Sequence, residues 1–511
     1  MYENSFANIL HFLENRKSLL RFLLKKATFY TLLYEERQQN QPFFSTFAPM
    51  KAKRDNYTFL TEGPIHQVIF TMAIPTIISM LSTSMYNLAD TYFVGSINTQ
   101  SVAAVGASFA MMSVVQAVGF FYGHGAGNYV SRQLGAKHQE NAEKMAATGV
   151  VLSFLTGLLI AIVGHIFLTS LCTGLGSTPT ILPYTECYLG IILLGAPLMT
   201  TSLTLNNLMR FQGNAIYAMK GIMSGVLLNL ILAPLLILYF EMGITGAAIA
   251  TLISQCFGCL MLLWMTTKGQ NIRIRLRNFS PTKGYLKEIV FGGTPSLSRQ
   301  GMGSISTLML NVAAGVYGDA AIAGMSIVTR ICFFTYAVVI GLGQGFQPLC
   351  GFCYGAKLYA RVRDAFYFCI KCGTIFLCIC AIIGFVFAEN IVELFRSDPD
   401  VVSVGAMALK WQVISFPLVT TIVLTNMLMQ TIRKPVRANL VAAARSGLFF
   451  IPLIFILPHF FGLLGVEMCQ AWADVCSFSL AVPIAWSAFR DMRRMKAMER
   501  AGERAGEKCE R

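Results

Sequence analysis

Long apolar runs alternate with short polar stretches along most of the chain. About twelve such runs follow one another between residues 65 and 488. A run of about 20 apolar residues can cross the hydrocarbon core of a bilayer as a helix. The pattern therefore predicts an all-α polytopic membrane protein with twelve transmembrane helices. The predicted helices span residues 65–94, 102–130, 145–171, 183–209, 219–240, 244–266, 286–316, 320–346, 366–387, 404–429, 440–459 and 463–488.

Composition and charge support the membrane assignment. The chain has 511 residues, of which 55% are hydrophobic and 13% are charged, whereas soluble domains carry about 25% charged residues. The net charge of +15 comes from basic residues in alternate loops, such as residues 130–144, 266–287 and 433–437. This distribution follows the positive-inside rule. It predicts that both termini are cytoplasmic, and it argues against nucleic-acid binding.

An internal repeat divides the chain into two halves. The stretch APLMTTSLTLNNLM from Ala196 matches FPLVTTIVLTNMLM from Phe416, an offset of 220 residues. The same offset relates the GAK motifs at Gly135 and Gly355. Six helices per half give both halves the same orientation, so a pseudo-two-fold axis along the membrane normal should relate two six-helix lobes. A cleft between such lobes is typical of alternating access.

These observations predict five segments. They are a basic cytoplasmic extension (1–61), the amino-terminal lobe (62–267), a cytoplasmic linker (268–285), the carboxy-terminal lobe (286–490) and a charged cytoplasmic tail (491–511). The extension contains short apolar patches that could form an interfacial helix. Alternatively, MKAKRD from Met50 resembles an ordinary start, which would leave residues 1–49 outside the functional protein.

The repeat also shows which polar residues belong to one half only. Asp90 falls opposite Leu310, and Asn229 falls opposite Phe449. Thr251 falls opposite Gln470 or Ala471, because the last helix pair shifts by one residue. The amino-terminal half thus carries a polar set that its counterpart lacks.

Asp90 is the most informative member of this set. A carboxylate at membrane depth is costly and normally faces a cavity or the bundle interior. Such a group could bind and release a proton, or hold Na⁺ with amide and hydroxyl oxygens nearby. The alternative is an ordinary polar cap at the end of the first helix, since Gly95 follows closely.

The motifs together resemble those of the MATE (multidrug and toxin extrusion) transporters, most closely the DinF-like bacterial branch. The resemblance is carried by YNLADTYFVG ending the first helix, GAK after helices 2 and 8, and GAAIAT opening helix 6. It covers about residues 62–490. It implies an inner-membrane protein that exchanges H⁺ or Na⁺ for amphipathic, often cationic, organic compounds. It also implies a monomeric unit that uses neither ATP nor another cofactor.

The resemblance further implies a coupling site in the amino-terminal lobe. Carried over by position, its residues are Asp90, Asn229, Thr251, Asn206 and Tyr188. Asn206 differs from the others because the second half keeps it as Asn426. The family often has a second aspartate where this chain has Ala233. That departure favours a proton site with a single carboxylate.

Other residues are candidates for the substrate cavity or for ion pairing. Apolar and flexible side chains suit an adaptable pocket. The cavity candidates are Met85, Tyr86, Phe120, Phe121, Met209 and Arg299. Deep in the second half, Arg299 and Arg330 need partners, and the sequence predicts that Asp474 provides one. The choice between structural pairing and substrate contact stays open.

Competing functions differ in the motifs that they require. An exporter of lipid-linked saccharides from the same superfamily is the main alternative to drug efflux, and the deep arginines keep it open. The fourteen cysteines lie mostly within apolar runs, as small buried side chains do, so they predict no metal site. No nucleophile–base pair and no phosphate-binding motif is evident, so an enzyme is disfavoured.

Overall fold

The computed structural model describes the backbone of residues 55–95 and 97–509. Within these ranges, it describes all side chains except those of residues 84, 86–92, 99 and 499–509. The predicted extension therefore lies outside the described residues as far as residue 54. After it, the short helix α1 (Asn56–Glu62) is capped by Asp55, whose side chain accepts a hydrogen bond from the Tyr57 backbone.

The first half consists of helices joined by short connections. Its helices are α2 (Ile65–Gly95), α3 (Thr99–Gly135), α4 (Gln139–Ile166), α5 (Leu168–Gly174), α6 (Leu182–Leu194), α7 (Ala196–Phe211), α8 (Ala215–Pro234) and α9 (Gly243–Met265). A π-helical turn, Leu235–Tyr239, continues α8 beyond Pro234. Pro234 lacks the backbone N–H of a regular helix, which is one of the usual causes of such a local change.

The second half repeats this order. Its helices are α10 (Lys283–Gly315), α11 (Asp319–Gly355), α12 (Tyr359–Val386), α13 (Ala388–Glu393), α14 (Pro399–Thr431), α15 (Pro435–Ala443), α16 (Phe450–Phe461) and α17 (Leu463–Cys509). A second π-helical turn, Ala444–Leu448, joins α15 to α16. The bounds of α11 and α12 follow those of α3 and α4 at the offset of 220 residues. The predicted two-fold repeat is therefore confirmed in the helix boundaries.

The number of helices that could cross a membrane agrees with the predicted architecture. Among the described residues, ten helical segments are long and apolar enough to cross a membrane, and α6 with α7 form an eleventh span bent by 49°. The helix α10, with 33 residues, occupies the position of the remaining predicted span, although it is more polar. These helices account for the twelve predicted spans.

The fourth and the last predicted helices differ most from the structure. The fourth predicted helix is broken between α6 and α7 at Gly195, two residues before Pro197, whereas the equivalent α14 continues through Ser415 and Pro417. Glycine adds its low helix propensity to the proline break. The predicted last helix ended at residue 488, but α17 extends to Cys509. The added stretch is rich in Ala, Glu, Lys, Arg and Met, which all favour a helix.

The two halves meet where α3 packs against α10 and α11 packs against α2. The contact is closest near the loops that carry Lys137 and Lys357, and we call this end of the bundle the basic face. There, a Cβ atom on Gly135 would collide with the Phe352 carbonyl, and one on Gly355 with the Arg132 carbonyl. Glycine is needed at both positions because the two backbones touch.

The halves separate toward the opposite face. On α10, Gly301 and Gly303 have no described atom within 4 Å of the position that a Cβ would take. On α11, the side chains of Thr329, Arg330 and Phe333 are exposed. Among the described side chains, the close contacts between the halves lie toward the basic face, and we interpret the opposite side as a cleft between the halves.

Candidate functional site

A buried polar pair lies inside the first half. Asn229 on α8 donates a hydrogen bond to the Thr251 hydroxyl on α9, with Nδ2 and Oγ1 3.4 Å apart. The two side chains are 2% and 1% exposed, respectively. Burial of polar groups is costly unless they find partners. The structure therefore brings together two of the predicted coupling residues.

The surroundings of this pair include two further predicted positions. Tyr188 and Ala233 are buried in one apolar cluster with Val94 at the end of α2. Asp90 comes one turn before Val94 on the same helix. The Asp90 side chain lies outside the described part of the chain, so its contacts stay a prediction.

The equivalent region of the second half is apolar. Leu310 and Phe449, the counterparts of Asp90 and Asn229, pack against a hydrophobic core cluster. The positions that are polar in the first half and apolar in the second therefore lie in the interior of each half. A fold-stabilising role would be expected to recur in both halves, so this difference favours a functional role.

Asn206 has a contact that recurs in both halves. Its side-chain amide donates to the Ala218 carbonyl at 3.0 Å. In the second half, Asn426 donates to the Ala438 carbonyl at 2.7 Å. The two bonds are related by the same offset of 220 residues. Each bond ties one helix to the next, which gives Asn206 a structural role beside any role in coupling.

The predicted cavity residues occupy several environments. Met85 is 64% exposed, whereas Met209 is 1% exposed within the core of the first half. Phe120 stacks beside His124, with ring centroids 5.5 Å apart. Phe121 packs against Gly293 of α10 in the interface between the halves. The side chain of Tyr86 lies outside the described residues.

A buried polar cluster that the sequence analysis missed lies between the halves. Arg210, which is 2% exposed, donates to Gln344 of α11, to Asn207 and toward Nε2 of His124. These partners are neutral, and among the described side chains no carboxylate pairs with Arg210. The repeat contained a signal, because Arg210 falls opposite the neutral Gln430.

The prediction that Asp474 pairs with Arg299 or Arg330 was wrong. Asp474 is fully buried, and its partner is Arg445, whose Nε donates to Oδ1 at 2.7 Å. Ser415 completes the site by donating to Oδ2 at 2.9 Å. Arg445 reaches Asp474 from the π-helical turn after α15, whereas Arg330 is exposed on α11.

Arg299 has a different partner. Its Nη1 donates to Oδ1 of Asn426 at 3.3 Å, and its side chain is partly buried. Asn426 also makes the helix tie to Ala438 through its Nδ2 atom. Both ends of this amide are thus occupied, which fixes its oxygen toward Arg299.

Polar contacts close the interface at the basic face. Arg132 of α3 donates to Glu288 of α10 at 2.8 Å and to the Thr431 carbonyl of α14 at 2.8 Å. Arg433 approaches the other Glu288 oxygen to 2.6 Å. The Thr431 hydroxyl donates to Asn128 of α3 at 2.8 Å. These bonds hold together helices from both halves.

The fold and the site define the class of protein. Two repeated bundles of membrane-crossing helices enclose a cleft that is closed at one face, and one bundle contains a buried polar site. This is the architecture of a multi-pass membrane transporter. Among the described residues, no group of three or more His, Cys, Asp or Glu side chains could hold a metal ion.

The chain belongs to the MatE family, as the resemblance implied. The MatE family model matches it twice, over residues 75–235 and 295–456, once in each half. The chain is 28% identical over 438 residues to the multidrug export protein MepA of Staphylococcus haemolyticus (strain JCSC1435), covering 85% of this chain and 96% of that protein. It is 27% identical over 417 residues to MepA of Staphylococcus aureus (strain MSSA476), covering 81% and 92%, respectively.

Solved structures share the fold. A multidrug resistance MATE family transporter of the MOP superfamily, described in an outward-facing conformation, superposes with a TM-score of 0.81 at 24% identity, covering 87% of this chain and all of that one. A MATE structure described in the straight conformation gives a TM-score of 0.82 at 24% identity, covering 86% and 99%, respectively. These similarities confirm the two-lobe architecture.

Proposed function

We propose that this protein is a multidrug exporter of the bacterial cytoplasmic membrane that exchanges H⁺ or Na⁺ for amphipathic, often cationic, organic compounds. The names of the staphylococcal relatives support the export of multiple drugs. We infer that the unit of function is a monomer and that an ion gradient, rather than ATP, drives it.

The buried pair of Asn229 and Thr251 is the main observation that supports the proposed ion coupling. This pair supplies amide and hydroxyl groups within the first half, where the second half is apolar. Asp90 is the acid that we assign to the same site, because it lies one turn from Val94 in the surrounding cluster. Its carboxylate would carry the exchanged ion, and Asn229 and Thr251 would stabilise one ionisation state.

The distribution of charge supports an orientation. The basic face carries the loops with Lys137, Lys357 and Arg433, which the positive-inside rule assigns to the cytoplasm. The cleft of this structure then opens to the outside, and its contacts at the basic face separate it from the cytoplasm. Export would require the opposite state, in which these contacts break and a drug enters from the cytoplasm.

The coupling proposal is tested in everted membrane vesicles that hold either a pH gradient or a sodium gradient. Adding a cationic dye should discharge the gradient of the coupling ion in vesicles with the wild-type protein. Asp90→Asn should abolish this response while the protein level is unchanged. Asp319→Asn, which alters an exposed acid in the first turn of α11, should leave the response intact.

The response to each ion alone distinguishes proton from sodium coupling. Dye-dependent discharge that persists in Asp90→Asn would refute the role of Asp90.

A second candidate is an exporter of lipid-linked saccharides, favoured by Arg299 and Arg330 in the middle of their helices. Failure of the dye to discharge either gradient would count against drug exchange and in favour of this alternative.

A further inference from the structure

Arg299 lies on the face of α10 that packs against α14 of its own half and, at Gly292, against α3 of the other half. Gly292, Ser296, Arg299 and Gly303 are spaced so that they share one side of the helix. At one end of this row, Gly292 packs against Gly125 of α3, and at the other end no described atom lies within 4 Å of the position that a Cβ on Gly303 would take. Arg299 therefore stands where the closed interface ends and the cleft begins.

The Arg299 guanidinium has unused hydrogen-bonding capacity. Arginine carries five N–H donors, and among the described residues its one partner is the neutral Oδ1 of Asn426, at 3.3 Å. The side chain is only partly buried, so the cleft gives access to it. A planar donor group with free N–H bonds is suited to a carboxylate, sulfonate or phosphate.

Arg330 extends the same positive wall. It shares a face of α11 with Gly341 and Gly345, from which it is 11 and 15 residues away. These glycines pack against Ile77 and Ala73 of α2, where the halves touch. Because Arg330 shares this face and lies farther from the basic face, we place its exposed side chain on the cleft side of α11.

Arg210 adds positive charge beneath Arg299. It is buried among His124, Asn207 and Gln344, and no described residue forms a hydrogen bond with its Nε atom. The His124 backbone lies against Gly292, seven residues before Arg299 on α10, so this cluster is next to the closed end of the row that carries Arg299. A buried positive charge without a counter-charge is costly.

Two buried acids of the second half are already paired and do not compensate for this charge. Asp474 lies deep in the second half, but Arg445 and Ser415 already occupy it. Glu288 is bound to Arg132 and Arg433 at the basic face. An anion near Arg299 would thus meet a positive group, whereas these two carboxylates stay bound to other arginines.

We propose that Arg299 is the centre of an anion-binding subsite on the second half of the cleft, with Arg330 along the wall and Arg210 beneath it. The subsite would take the carboxylate or sulfonate of an amphipathic organic substrate. Zwitterionic and anionic compounds then join the cations as ligands. This inference rests on the proposed function, because it specifies which compounds the exporter takes.

The test uses two rhodamine dyes that differ in one group. One dye has a free carboxylate and is a zwitterion, and the other is its methyl ester and is a cation. Their binding to the purified full-length protein in detergent is followed by fluorescence anisotropy, with no ion gradient. The wild-type protein should bind the acid. Arg299→Gln should weaken that binding about 10- to 100-fold, as expected for a lost charge-assisted hydrogen bond, and leave ester binding unchanged.

Two variants serve as controls. Arg299→Lys keeps the positive charge but not the planar donors, so it should retain part of the preference for the acid. Arg396→Gln removes the same charge from an exposed loop and should have no effect. Unchanged ester binding shows that each variant is folded.

Three results would overturn the subsite: no binding of the acid by the wild-type protein, full acid binding by Arg299→Gln, or equal losses for both dyes. The experiment also separates this inference from the coupling proposal, because binding is measured without a gradient. A protein that distinguishes the dyes but does not exchange ions would support the subsite and refute the coupling proposal. A protein that exchanges ions but does not distinguish the dyes would refute the subsite alone.

Discussion

Glu288→Gln should destabilise the closed interface at the basic face. Glu288 belongs to the second half, and Arg132, its partner at 2.8 Å, belongs to the first. Both side chains are almost buried, at 10% and 12% exposed. If the halves separate at this face during transport, the bond exists only in the state shown by this structure. Weakening it then shifts the balance toward the state that is open at the basic face.

The size of the shift follows from the kind of bond. A hydrogen bond to a charged group contributes about 1.5–3 kcal/mol. Glutamine keeps one acceptor oxygen but loses the charge, so we expect a loss of about 2 kcal/mol for the Arg132 contact. This changes the ratio of the two states by about 30-fold. The Arg433 contact adds little, because that arginine is half exposed.

The assay measures access to a buried position in this interface. Ser131 is fully buried and packs against Gly351 of α11. A cysteine introduced by Ser131→Cys can be labelled in everted vesicles with a maleimide that does not cross membranes. Adding Glu288→Gln should raise the labelling rate about 30-fold if labelling follows the open population. Protein without the introduced cysteine corrects for labelling of the native thiols.

The matched control is Glu140→Gln, which neutralises an exposed acid near the same face. Glu140 is 79% exposed and pairs with Lys144 within one helix. Such a pair should not affect the contact between the halves. Equal labelling of Ser131→Cys with and without Glu288→Gln would refute the proposed link between this bond and the closed state.

Two further predictions concern stability and coupling. Asp474→Ala should lower the unfolding free energy by about 3–5 kcal/mol, because Arg445 would lose its buried partner. Thermal unfolding should show this loss, whereas Asp364→Ala, in an exposed pair, should change the midpoint little. An unchanged midpoint for Asp474→Ala would contradict the argument. Asn206→Ala and Asn426→Ala should each cost about 1–3 kcal/mol through the same lost tie. Only Asn206→Ala should also impair the exchange of a cationic dye, which does not use the anion subsite of Arg299 beside Asn426. Equal exchange of this dye in the two variants would count against a coupling role.

The sequence alone determined the architecture. Apolar length and the repeat placed the helices, because membrane crossing needs a minimum apolar run and because duplication preserves spacing. The agreement reaches the backbone, where Lys137 and Lys357 both have φ of 61° in their loops. The break at Gly195 could not be predicted from Pro197 alone. The equivalent Pro417 lies within an unbroken helix, so a proline at this position does not by itself break the helix.

Part of the candidate site was also visible in the sequence. Asn229 and Thr251 could be identified because polar groups in one repeat faced apolar residues in the other. The structure confirms that these two lie together, since α8 and α9 are consecutive helices that pack side by side. Local chain order thus makes such a pair predictable.

Contacts between distant helices were decided only by the tertiary structure. The sequence gives the depth of a charged residue along its helix, but not the neighbour that its side chain faces. Arg299, Arg330 and Arg445 were therefore all available to Asp474, and packing selected Arg445. Likewise, Arg210 meets Gln344 across 134 residues of chain. The closed basic face and the proposed positive wall of the cleft could not be predicted from the sequence for the same reason. The rotation of each helix and the contacts between the halves arise only when the whole bundle packs.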